Sequence, residues 1–78
     1  MSTYIEIEPM NIRQRFGARI KSLRLQKNLS QERFANLAEL DRTYIPSIEK
    51  GERNVSIEVI QKISIALDMK LSELFMDI

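Results

Sequence analysis

The stretch LDRTYIPSIEKGERN, Leu40 to Asn54, has the outline of a short helix with a start and a stop. Asp41 fits an N-cap, Ile45 and Ile48 share one face, and Gly51 fits a C-terminal stop. Pro46 stands inside it. Proline has no backbone N–H and clashes with the carbonyl four residues back. With Asp41 as cap, Pro46 is the fifth helical residue and removes an early bond. With Thr43 as cap, it is the third, where no N–H is needed, and Arg42 leaves from the turn. Either way, Pro46 is expected to loosen or re-aim the first turn.

Around this stretch the chain reads as helices. Pro9 suits the first position of a helix running to about Lys27, with Ile12, Phe16, Ile20 and Leu23 as its buried stripe. Ser30 caps a second helix, whose core face is Phe34, Leu37 and Ala38, with Ala35 small enough for close approach. The third helix is Arg42 to Lys50. Ser56 caps a fourth, facing inward through Ile57, Ile60, Ile63 and Leu67. Leu71 to Asp77 forms a fifth. The opening segment TYIEI alternates apolar and polar residues and suits a strand, an arm or a frayed end. The expected fold is all-α, a small five-helix bundle, with residues 1–8 as an N-terminal arm and residues 9–78 as one domain.

Seventy-eight residues make a single small domain. Its modest core favours dimerisation. With 44% apolar and 29% charged residues, it suits a folded chain. There is no Cys and no His, which removes disulfides, thiolate chemistry, histidine catalysis and N/S zinc sites. No cofactor or metal is expected. The absence of Cys fits a reducing cytosol, so the expected location is cytoplasmic. The acidic start lacks the apolar run of a signal peptide, and nothing approaches a membrane span.

Net charge is only +1, but it is unevenly placed. Residues 11–30 carry six bases (Arg13, Arg15, Arg19, Lys21, Arg24, Lys27) and no acid, while both ends are acidic. The basic first helix suits either a solvated face or a footprint for phosphates. Two capped helices joined by a short turn match the architecture of helix–turn–helix DNA readers.

LRLQKNLSQERFANLAEL followed by YIPSIEKGERNVSIEVIQKISIALDMKLSELF resembles the Cro/lambda-repressor family of helix–turn–helix regulators, over roughly residues 16–75. LDRTYIPSIEKGERN most resembles the controller proteins of restriction–modification systems. The resemblance implies a homodimeric transcription regulator that binds a pseudo-palindromic DNA operator and controls its own operon, with RNA polymerase as a partner if it activates. It implies base contacts from Arg42 and Thr43, with Ser47, four residues past Thr43 and so on the same face, as a further candidate, and backbone contacts from Ser30, Gln31, Tyr44, Lys50, Arg53 and Asn54. Arg24 and Glu49 would pair to tie the reading helix to the scaffold. Glu39 stands where the family has Gly or Asn with positive φ. The expected dimer seam is Leu71, Leu74, Phe75 and Met76, unless those residues close the monomer's own core. A phage or plasmid repressor of the same fold is an alternative, as is an antitoxin or adaptor that binds protein. No motif supports an enzyme.

Overall fold

The computed structural model describes residues 10–78, so the N-terminal arm, the TYIEI strand and Pro9 lie outside the described residues. Five helices follow in order: α1 Ile12–Gln26, α2 Gln31–Leu37, α3 Tyr44–Glu49, α4 Ile57–Ala66 and α5 Leu71–Leu74. There is no strand among the described residues.

Each start has a local cause. Asn11, not Pro9, opens α1. Its side chain accepts from the Gln14 N–H while the Gln14 side chain accepts from the Asn11 N–H, a reciprocal capping box. Ser30 and Ser56 cap α2 and α4 by accepting from Arg33 and Val59. Thr43 is the N-cap of α3, without a side-chain cap bond. Pro46 is therefore the third helical residue, and the missing N–H breaks no intrahelical bond. The helix is shortened rather than kinked, and Arg42 lies in the turn before it. At the far end of the chain α5 stops at Leu74, three residues short of the expected Asp77.

The stops of α1 to α4 share one geometry. Asn28, Glu39, Gly51 and Asp68 adopt φ of 58°, 57°, 76° and 56°. The next N–H in each case returns to a carbonyl in the last turn: Leu29 to Arg24, Leu40 to Ala35, Glu52 to Ser47 and Met69 to Ser64. This left-handed closure satisfies carbonyls the helix leaves free. Glu39 does hold the positive φ expected of it, at a cost of about 1–2 kcal/mol for a residue with a Cβ.

The core joins all five helices through Phe16, Ile20, Leu23, Phe34, Ala35, Ile45, Ile48, Ile63, Leu67 and Leu74. Three residues expected in it are exposed. Ile12 sits in the first turn of α1, on the rim of a groove lined by Phe16, Val55, Ile60 and Phe75. Leu37 is exposed because Phe34, Ala35 and Ala38 define the buried face of α2, which leaves Leu37 on its flank. Ile57 lies about 120° around α4 from Ile63 and so faces away from the core.

α1 packs chiefly against α3. Gly17 makes this possible, since a Cβ there would lie 2.1 Å from the Ile48 carbonyl oxygen. α1 also holds the C-terminal segment: Arg15 donates to the Ile78 carbonyl at 3.0 Å and Arg19 to the Glu73 carbonyl at 2.8 Å. With Arg24 in an ion pair, three of the six basic side chains of residues 11–30 bind the protein itself. Half of this basic charge thus serves as internal fastening.

Candidate nucleic-acid interface

The third helix is fixed from below. Arg24 on α1 and Glu49 at the end of α3 form a two-pronged pair, Nε to Oε2 at 2.6 Å and Nη2 to Oε1 at 3.1 Å. Their side chains are 8% and 4% exposed. Arg24 Nη1 also donates to the Leu29 carbonyl at 2.7 Å, and Gln31 Nε2 donates to Glu49 Oε1 at 3.0 Å. The Glu49 carboxylate therefore gathers α1, α2 and α3, and Arg24 adds the turn after α1. Buried pairing with satisfied partners of this kind fixes orientation.

On the outer side, Gln31, Glu32, Arg42, Thr43 and Pro46 line a shallow open concavity between the start of α2 and the start of α3. Arg42 and Thr43 are adjacent and exposed. Asp41, one of the two caps the sequence allows for α3, has a different role. Its Oδ1 accepts from the Thr43 N–H at 2.8 Å and from the Thr43 hydroxyl at 2.7 Å. The Asp41 carbonyl accepts from the Tyr44 N–H at 3.0 Å. The Thr43 hydroxyl above all, and then its N–H, hold the Asp41 carboxyl below the usual carboxylate range. It is ionised at neutral pH.

Ser47 was expected to face DNA with Thr43, but its hydroxyl is already engaged. Its hydrogen is directed at the Thr43 and Tyr44 carbonyls, at 3.1 and 2.9 Å, and its oxygen accepts from Arg53 Nε at 2.8 Å. The Arg53 guanidinium lies over the Tyr44 ring, 4.0 Å from the centroid. Ser47 and Tyr44 thus form a seat for Arg53, brought back from the loop after α3. Gln31 is likewise partly committed, to Glu49. Ser30, Lys50 and Asn54 are exposed.

The structure brings Gln31, Arg42 and Thr43 to one concavity between α2 and α3, and groups Tyr44, Ser47 and Arg53 against α3. Leu71, Phe75 and Met76 lie on α5 and just after it, and remain exposed. Leu74 does not belong with them: it is fully buried in the monomer's core. Phe75 is shared, stacking on Phe16 at 5.4 Å between centroids while staying 38% exposed. The Asp41–Thr43 bonds and the Arg53 seat were missed by sequence reading. The first had a signal, an Asp two residues before a Thr, the spacing at which an Asp side chain bonds the backbone ahead. The seat had none, because it needs the loop to fold back.

Among the described residues no group of acidic, His or Cys side chains is placed to hold a metal. No described helix is long and apolar enough to cross a membrane.

A helix-turn-helix family model matches residues 20–74. The chain is 55% identical over 69 residues to the control protein C.MunI of a Mycoplasma species, an alignment covering 87% of this chain and 93% of that one. Its fold is similar to that of the restriction–modification controller protein C.AhdI from Aeromonas hydrophila, with a TM-score of 0.79 and 48% identity, covering 81% of this chain and 96% of that one. It is also similar to the controller protein C.Esp1396I, whose structure is a tetramer in complex with its natural 35 base-pair operator. There the TM-score is 0.78 and identity 33%, covering 86% of this chain and 88% of that one.

Proposed function

Because the chain belongs to the helix-turn-helix family, among the controller proteins of restriction–modification systems, we propose that it is a sequence-specific DNA-binding transcription regulator. It binds a pseudo-palindromic operator as a homodimer and controls its own operon. The observation that carries this reading is the Arg24–Glu49–Gln31 network beneath α3. It holds a six-residue helix rigidly while leaving Arg42 and Thr43 exposed side by side at its start. A reading element needs that combination, because sequence discrimination depends on placing few side chains accurately.

Arg42 has the planar fork that matches guanine O6 and N7, and Thr43 has a methyl for thymine. Ser30, Gln31, Tyr44, Lys50, Arg53 and Asn54 are assigned to the DNA backbone, with Arg53 presented from its seat on Tyr44. Ser47 supports Arg53 rather than reading a base. Two copies are required, since one module of this size makes too few contacts for useful genomic specificity. The exposed apolar residues Leu71, Phe75 and Met76 provide the dimer seam. The reading helices of the pair then lie about 34 Å apart, one DNA turn. The operator complex of C.Esp1396I, a tetramer on 35 base pairs, supports operator binding by more than one copy of this chain. A cytoplasmic location fits a regulator of operator DNA, and activation would add a contact with RNA polymerase.

Fluorescence titration against mixed duplexes at two salt concentrations tests the reading. Affinity should fall steeply as salt rises. No binding at low salt would favour a protein-binding module instead. Arg42→Ala should cost about 1–3 kcal/mol at one base pair and leave the other preferences intact. An equal loss on specific and random DNA would remove Arg42 from the base-reading set. Arg53→Ala should weaken binding to every duplex and reduce the salt slope by about one. Arg53→Lys, which keeps the charge, should restore most of that slope. An unchanged slope in Arg53→Ala would take Arg53 off the phosphates.

A further inference from the structure

Thr43 can engage DNA only with what Asp41 leaves free. An ionised carboxylate has no hydrogen to give, so in the 2.7 Å contact between Thr43 Oγ1 and Asp41 Oδ1 the threonine is the donor. The same oxygen of Asp41 takes the Thr43 N–H at 2.8 Å, which fixes carboxylate and hydroxyl relative to one backbone. Asp41 is exposed, and among the described residues it makes no other side-chain hydrogen bond and no salt bridge, while the Arg42 and Arg53 charges favour its ionised form. We propose that Asp41 is a positioning residue that sets which base Thr43 accepts, by engaging its hydroxyl hydrogen and leaving it only an acceptor oxygen and a methyl group. This rests on the DNA-reading function proposed above.

The chemistry that follows is selective. A free threonine hydroxyl rotates, donates or accepts, and suits any base edge. With its hydrogen engaged, Thr43 accepts from the amino group of adenine or cytosine, or meets the thymine methyl. The guanine edge offers two acceptors in the major groove, so Thr43 has nothing to give it. Asp41 thereby converts a permissive side chain into one that rejects guanine. Its neighbour Arg42 has the opposite preference. Adjacent residues thus carry opposing guanine preferences.

The test is competitive binding of the full chain to duplexes in which each position of a selected operator is changed in turn to all four base pairs. Thr43→Val identifies the position Thr43 faces. There the unaltered protein should disfavour guanine by roughly fivefold or more, the scale of a single mismatch. Asp41→Ala should bring the four bases to within about twofold at that position alone, the permissive level of a free hydroxyl. Asp41→Asn keeps an acceptor oxygen and should keep the preference. Adding Asp41→Ala to Thr43→Val should change nothing further at that position. An Asp41→Ala protein that keeps its base preferences, or weakens on all duplexes equally, would overturn the proposal and reduce Asp41 to a turn-forming residue. So would loss of preference in Asp41→Asn. Failure of the unaltered protein to prefer any sequence would overturn the DNA-reading function as well, which separates the two failures.

Discussion

Glu49→Ala lowers stability by about 3–5 kcal/mol, the scale of a buried ion pair broken on one side. The cost comes from what is left behind. Arg24 is buried, and two of its nitrogens lose their carboxylate partner. Gln31 Nε2 loses its acceptor as well. A domain of this length has total stability of only several kcal/mol, on the usual scale of roughly 0.05–0.15 kcal/mol per residue, so the variant should be largely unfolded at mild urea concentrations. Urea denaturation followed by circular dichroism measures this. The double replacement Arg24→Met with Glu49→Leu removes both charges and should recover most of the loss. Its stability returns, but α3 loses the tie that orients it, so discrimination among DNA sequences should remain impaired. A Glu49→Ala midpoint close to that of the unaltered protein would mean the pair is hydrated in solution.

Gly17→Ala should cost about 3 kcal/mol, at the upper end of overpacking penalties. On an exposed helix the same change would gain about 1 kcal/mol through helix propensity. Here the new methyl would meet the Ile48 carbonyl oxygen at 2.1 Å and the Glu49 carbonyl oxygen at 2.9 Å. Both are backbone atoms, so no side chain can swing aside and α1 must move away from α3. That movement also pulls at the Arg24–Glu49 pair, since Glu49 is one of the residues struck. At about 4–8 °C per kcal/mol for a domain this size, the melting temperature should fall by roughly 12 °C or more. A melting temperature that holds or rises would show that α1 and α3 sit farther apart than described.

Gly17 shows why part of this architecture was not legible in the sequence. Its reason for being glycine lies on another helix, 31 or more residues away in the chain. Local signals fared better. Ser30 and Ser56 marked helix starts because a cap acts within three residues. Glu39 was expected at positive φ through the family resemblance, and adopts it. The resemblance also named the Arg24–Glu49 pair, though not the addition of Gln31 to it. The start of α1 also has a local signal, the capping-box spacing of Asn11 and Gln14, which outweighs the proline at position 9. Leu37 and Ile57 were misplaced because an apolar residue on the flank of a short helix satisfies the periodicity without reaching the core. Hydrophobicity says which residues prefer burial, not how wide the neighbouring surface is.

At the interface the same division holds. Arg42 and Thr43 are exposed side by side at the start of α3. Ser47 shared their face by helical spacing, yet spacing cannot reveal that Arg53 folds back onto it. The basic charge of residues 11–30 pointed toward phosphates, while Arg15, Arg19 and Arg24 turn to partners within the protein. Pro46 proved to be a length-setting residue: it sits where a helix can begin and leaves Arg42 in the turn.

Whether two copies of this chain read DNA through the turn and helix beginning at Arg42 is decided by selecting bound sequences from a random duplex pool. The expected result is an enriched inverted repeat whose half-site centres lie about 10 base pairs apart, one helical turn. A pool that stays random, or that yields a single asymmetric site, would contradict it.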